Sequence, residues 1–271
     1  MKNKYIIIAI TGLAISVSSC RKGCTDPAAE NYDARAKKSD NSCEYVEPAD
    51  TTSSVNLVIT HLSGSQTFAM NTDYVDGFGN DYQFTRAQMY LSSPKYMDEN
   101  MNLISAPMEY ALVSPSQTTY AFGTVPGDAH IHMMDIAVGV DSVANASDPG
   151  TYGADSPLAY QSPSVHWNWN SGYIFIAIEG VVDIDGNGTY DAGETFLCHV
   201  GLNSMLAVNS GLLAHFNSVP GQTHNIELDI DWSGLLTGID LSVDNSTHTM
   251  DNMPLATTVS NNAANVITIH Q

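Results

Sequence analysis

Residues 172–201 read GYIFIAIEGVVDIDGNGTYDAGETFLCHVG, two apolar runs separated by an acidic loop. Both runs, IFIAIEGVV and TFLCHVG, are rich in β-branched and aromatic residues and read as strands. Between them, residues 183–194 match a twelve-residue calcium loop position by position. Asp183, Asp185 and Asn187 offer side-chain oxygens at positions one, three and five. Gly188 permits the sharp turn at six, and Thr189 offers a backbone carbonyl at seven. Asp191 can act through water at nine, and Glu194 closes the shell at twelve. In an EF-hand the flanks are helices that open on binding. Here they are strands, so the loop is expected to cap a β-hairpin, with calcium tethering it rather than switching it.

The period of two recurs along the chain. The stretches at 55–62, 87–93, 129–140, 224–231 and 265–270 also read as strands, separated by clusters such as DGFGND, VPGD and SDPGTYG. Helical stretches are scarce. NSMLAVNSGLLAHF (203–216) is the best of them, and NMPLATTVSNNAA is weaker. The expected fold is all-β: an antiparallel β-sandwich with long loops and few short helices.

The N-terminus bears on the compartment. A basic MKNK precedes a short apolar run that ends in VSSC, the pattern of a bacterial lipoprotein signal cut before Cys20. The expected organisation is a signal peptide at 1–19, a cysteine-bounded module with linker at 20–54, and one large domain at 55–271. Cys20 would carry lipid and tie the protein to a membrane, as an outer-membrane lipoprotein facing the periplasm or the cell surface. Removing Lys2 and Lys4 takes the formal charge from −20 to −22, which repels phosphate backbones and argues against nucleic acid as a partner. A charged fraction of only 14% argues for a folded body rather than an acidic tail. Cys24 and Cys43 bracket a polar loop, and an exported chain permits a disulfide between them. Cys198 is left alone beside His199.

Nine histidines occur, several beside strands. His61 shares a strand face with Val55, Leu57 and Ile59; His130 and His132 share another with Met134; His166 adjoins Trp167 and Trp169. Imidazole and thioether together suit copper better than calcium or magnesium. No nucleophile–base pairing and no His-x-x-x-His appear, so an enzyme is not expected.

VHWNWNSGYIFIAIEG resembles the signature of the MbnP-like family, exported copper-binding β-sandwich proteins: a Trp-x-Trp followed by Gly-Tyr and a strand ending in Glu-Gly. LVITHLSG, FGTVPGDAHIHMMDIAVGVDSVANAS, FLCHVG, STHTMDNMPLA and NVITIH are similar to further family stretches, in the same order. The resemblance implies copper bound through His61 and His199, with Trp167 or Trp169 oxidised to kynurenine, and a di-haem cytochrome peroxidase as oxidising partner. It covers roughly residues 55–270. Cys198 stands where the family has an aromatic residue, His166 is an extra histidine, and His130 and His132 match no family feature and could form a second site. GCTDPAAENYDARAKKSDNSCEY resembles a short cysteine-bounded module of exported bacterial proteins. The competing expectation is a surface adhesion or glycan-binding module, stiffened by calcium, in which Trp167, Trp169 and Trp232 stack on sugar rings. One distance separates the possibilities for copper. In a plain hairpin, Trp169 would lie roughly 30 Å from His199, so the chain must bend at Gly172, or the tryptophans must meet a histidine from another strand.

Overall fold

The structure is a computed structural model that describes residues 21–45, 50–167 and 172–270. Cys20, the signal segment and Trp169 lie outside the described residues. The chain divides into two units, residues 1–49 and 50–271. In the first, Cys24 and Cys43 form a disulfide with Cα atoms 4.7 Å apart. Two two-residue strands pair in parallel, Lys22–Gly23 just before the loop that the disulfide closes and Lys38–Ser39 inside it.

The second unit is a sandwich of sheets. Its principal strands are β1 (Thr52–Ser63), β2 (Asp81–Met97), β3 (Tyr110–Val113), β4 (Thr119–Pro126), β5 (His130–Ile131) and β6 (Met133–Val138). There follow β7 (Ile174–Val182), β8 (Thr195–Gly201), β9 (Ala207–Leu212), β10 (Phe216–Asn217), β11 (Thr223–Asp231), α1 (Met253–Ala263) and β12 (Ile267–Ile269). Among the described residues a nine-stranded sheet runs β9–β6–β2–β7–β8 and ends in Ser246–Thr247, with β3 and two short strands also on the long β2. A five-stranded sheet runs β12–β11–β1 and ends in Gln66–Thr67, with β4 also on β1. Most pairs are antiparallel, while β1–β11 and β8–Ser246 are parallel. No helix among the described residues is long and apolar enough to cross a membrane.

Period-two alternation decides which residues enter the core. Along β1, Val55, Leu57, Ile59 and His61 are buried and their neighbours are not. Along β8, Phe196, Cys198 and Val200 are buried on one face while Leu197 and His199 occupy the other. Phe68, Tyr82, Phe84, Phe196 and Trp232 meet through tilted and edge-on ring contacts. Rings of this size dominate a core's apolar burial, and edge-on geometry adds to it.

The antiparallel sandwich with few helices stands as the sequence implies. The two helical stretches, however, exchange roles. Residues 203–216 form a single 3-10 turn at Asn203–Met205 and then β9, an edge strand paired with β6. The alternation of Ala207, Asn209 and Leu212 into the interior, with Gly211 at φ +74°, matches an edge strand, and pairing with β6 overrides helix propensity. The weaker stretch becomes α1. Its Asn252 cap accepts from the Leu255 N–H, Pro254 sits in the first turn, and Leu255, Ala256, Val259 and Ala263 are buried. Strands β3 and β4 were not legible as strands in the sequence.

The imidazole of His61 is nearly sealed in this interior. Its Nδ1 accepts from the Trp232 indole N–H at 3.0 Å, and its Nε2 donates to the Gln117 carbonyl at 2.9 Å. That pattern requires the neutral ring, and burial accordingly lowers its pKa below the ordinary 6.5. Protonation would set a second donor against the indole N–H. Because the folded pKa is depressed, the stabilisation is complete above the unfolded pKa and is lost as pH falls through the folded one. Between about pH 7 and pH 5, thermal stability should fall more steeply in the wild type than in His61→Gln, whose amide keeps one donor and one acceptor. Parallel profiles would contradict this assignment.

A second expectation concerns Gly180, where β2, β7 and β8 meet. An added Cβ would lie 2.0 Å from the Gln83 carbonyl oxygen and 2.3 Å from the Phe196 ring. Gly180→Ala should cost roughly 1–3 kcal/mol in chemical denaturation.

Candidate metal centre

The face of β2, β7 and β8 that points away from the core carries the charged residues. Arg86 pairs with Glu179 across β2 and β7, and His199 pairs with Ala177 across β7 and β8. A β-bulge between Glu179 and Gly180 shifts the register there. The Arg86 guanidinium is largely buried and uses all its nitrogens. Nη1 donates to Glu179 Oε1 at 2.7 Å, Nε to Gln88 at 2.8 Å, and Nη2 to the Ser164 carbonyl at 2.8 Å. His199 Nε2 meets the same Glu179 oxygen at 2.9 Å. Burial would raise the Glu179 pKa, but hydrogen bonds from Arg86 and His199 outweigh it and leave the carboxyl below its usual range. Burial lowers the His199 pKa against the opposing pull of Glu179. His199 is therefore a neutral imidazole that donates Nε2–H to Glu179 and leaves Nδ1 as its lone-pair nitrogen.

A second histidine joins it. His248 lies edge-on to His199, with ring centroids 5.3 Å apart, and its Nδ1 sits 3.1 Å from Asp251 Oδ2. The segment that carries it is tied to β8 at two points. Thr249 Oγ1 donates to the His199 carbonyl at 2.8 Å and accepts from the Gly201 N–H at 3.0 Å. Both imidazoles thus have one nitrogen on a carboxylate, which fixes the ring and makes the other nitrogen more basic, as in histidine metal ligands. Sequence reasoning missed His248, although it lies within STHTMDNMPLA, one of the stretches that carried the resemblance.

The chain reverses between Trp167 and Gly172, while Trp169, on which the sequence left two solutions open, lies outside the described residues. Gly172 has φ +77°, and a Cβ there would lie 2.3 Å from the Asn145 amide oxygen. That same oxygen accepts the Tyr173 N–H at 2.7 Å. Upstream, Trp167 N–H donates to the Gly172 carbonyl at 3.1 Å and Ile174 N–H to the Val165 carbonyl at 2.9 Å, so residues 165–167 return along the start of β7. The buried Trp167 ring then covers Gly201, where a Cβ would come within 2.5 Å of it. Gly201 and His199 are two residues apart on one strand face, about 7 Å at strand rise. The indole therefore covers the strand position one pleat beyond His199.

The other expected residues fall elsewhere. His61 belongs to the five-stranded sheet, with both nitrogens used by Gln117 and Trp232. His166 packs edge-on against Tyr173. Cys198 points into the core, where burial pushes its thiol pKa up to about 12, so it offers no thiolate to His199. Trp167 and Trp232 are 6% and 0% exposed, too buried to stack on sugar rings.

At the far end of the same hairpin, the loop 183–194 is wound around its own carboxylates. Asp183 accepts N–H groups from Gly186, Asn187 and Gly188, and Glu194 accepts from Ile184, Asp185 and Asp191. One oxygen each from Asp183, Asp185 and Glu194 lies within 4.8 Å of the others. Calcium–oxygen distances of about 2.3–2.6 Å allow oxygens up to about 5 Å apart on one ion, so these three carboxylates fit a single cation.

Among solved structures, MbnP from Methylosinus trichosporium is similar, at 15% identity and TM-score 0.49, over 77% of this chain and 87% of that one. No curated protein matches in sequence. The sequence pattern of the MbnP family matches residues 52–252, which hold β1 to β11, the calcium-type loop and the His199–His248 pair, and the chain belongs to that family.

Proposed function

We propose that this is an extracytoplasmic, lipid-anchored copper-binding protein that acquires or handles copper, with a calcium ion holding the β7–β8 loop. The observation that carries the copper reading is the pair His199 and His248, each with one nitrogen on a carboxylate, beside the indole of Trp167. Neutral imidazole suits copper. Unmodified indole has only an N–H donor and is a poor ligand. Oxidation of Trp167 or Trp169 to kynurenine would add an amine and a carbonyl as donor groups. The oxidant would come from outside the chain, and the partner proposed for this step is a di-haem cytochrome peroxidase. The proposed ligand set takes His248 where the sequence reading had His61. The acidic surface favours cation capture outside the cell, and Cys20 would hold the protein at the membrane.

Protein isolated from its native host should carry copper, a kynurenine mass on the peptide that spans 162–180, and an acyl chain on Cys20 by mass spectrometry. His199→Ala and His248→Ala should each lower the copper affinity at least tenfold, since losing even a ligand's hydrogen-bond partner costs roughly 10- to 100-fold. Native protein without copper would overturn the copper reading, and an unacylated Cys20 would overturn the anchor.

Calcium bound only by the folded chain raises stability by about 2.7 kcal/mol at a hundredfold excess over its dissociation constant. The wild type should melt higher in calcium than in chelator, and Glu194→Ala should lose that difference. Equal melting temperatures in all four conditions would remove calcium from the proposal.

A further inference from the structure

Away from the His199–His248 face, a second group of histidines gathers where β5 meets β10. The two short strands pair antiparallel, with His130 opposite Asn217 and Ile131 opposite Phe216. His132 follows β5, held by its N–H on the Met97 carbonyl at 2.8 Å, and His215 precedes β10. Three imidazoles from two separate stretches of chain are thereby brought together. The His215 ring stands edge-on to both others, with centroids 4.8 Å from His130 and 5.6 Å from His132. One nitrogen from each of the three lies within 4.8 Å of the others.

We infer that His130, His132 and His215 form a second metal site, for a divalent transition metal that prefers imidazole: zinc or copper(II). Three features support it. First, His132 Nδ1 and His215 Nδ1 face each other at 3.4 Å. Two nitrogens bound tetrahedrally at about 2.0–2.1 Å from one ion stand about 3.3 Å apart, so this spacing is already that of a coordination edge. As a direct N–H···N hydrogen bond it is long. Second, His130 Nδ1 donates to the Asn217 amide oxygen at 2.7 Å, which orients the ring and makes Nε2 the nitrogen that would bind a metal in exchange for its proton. Third, that Nε2 lies 3.2 Å from the Glu99 carboxylate, which supplies a fourth ligand or a counter-charge. Three imidazoles with a carboxylate form a donor set for zinc or copper(II), not for calcium or magnesium. The group is half-buried to exposed, so an ion can enter directly.

The site is independent of the copper reading above, and its test keeps the two apart. The mature protein, as wild type and as His199→Ala/His248→Ala, is titrated with zinc and separately with copper(II), in competition with a chromogenic chelator and with excess calcium present. The double variant should still bind one equivalent of at least one metal, and bound copper(II) should show imidazole nitrogen couplings in its electron paramagnetic resonance spectrum. Adding His132→Ala and His215→Ala should abolish that equivalent. Asn217→Ala, which removes only the group that orients His130, should weaken binding by roughly 10- to 100-fold. Unchanged melting of the metal-free variants establishes that the fold is intact, and His215→Ala alone, at an exposed position, provides the same comparison with the least disturbance. The inference is overturned if neither metal binds the His199→Ala/His248→Ala protein, or if the bound equivalent survives His132→Ala/His215→Ala.

Discussion

The carboxylate of Glu179 lies between a buried guanidinium and an imidazole, and much of the outer face of the nine-stranded sheet is organised around it. Arg86 has only 12% of its side chain exposed, so its charge needs a partner in place. Removing one member of such a pair leaves an uncompensated buried charge, typically at a cost of about 3–5 kcal/mol. The β-bulge beside Gly180 sets Glu179 opposite Arg86 and then Gly180 opposite Phe84. The same guanidinium reaches the Ser164 carbonyl, which draws the segment leading to Trp167 across the sheet. Glu179 therefore positions both His199, directly, and the tryptophan segment, through Arg86.

The hairpin of β7 and β8 has two different ends. One end is the loop whose carboxylates turn inward around a space the size of one hard cation. The other is the return at Gly172, where Trp167 closes over Gly201. Between them the strands are locked on both sides, β7 to β2 and β8 to Ser246–Thr247. A site built on such strands holds its side chains more tightly than one built on loops alone. His248 is the exception, since it comes from a connecting segment and is held to β8 through Thr249.

The sequence made the sandwich, the hairpin and the acidic loop legible because each rests on local information: alternation of period two, and a ligand pattern within twelve residues. It also carried the family likeness through the Trp-x-Trp and Gly-Tyr stretch. What it could not provide was the meeting of distant segments. His248 reaches His199 only because Thr249 bonds to β8, forty-eight residues from Gly201 in sequence. His215 reaches His130 only through the pairing of two two-residue strands, which leave no periodic trace. His61 had the burial pattern of a core residue and the chemistry of a ligand. The indole of Trp232, far along the chain, decides between them. The misread stretch at 203–216 shows the same limit, because its strand exists by virtue of pairing with β6 rather than by its own propensity.

The alternation along β8 also insulates one kind of chemistry from another. His199 and Cys198 are adjacent in sequence, yet the pleat sends the imidazole to the outer face and the thiol into the core, where it is fully buried. Cys198 is the one free thiol among the described residues. A thiol in an oxidising compartment is open to sulfenic acid formation and to exchange with a disulfide such as Cys24–Cys43, and a redox-active metal accelerates both. Kept protonated and out of solvent reach, it is shielded from peroxide, from foreign disulfides and from a metal at the proposed His199 site. Turning Cys198 outward by a single residue of register would set a readily oxidised thiol on the face of the proposed site.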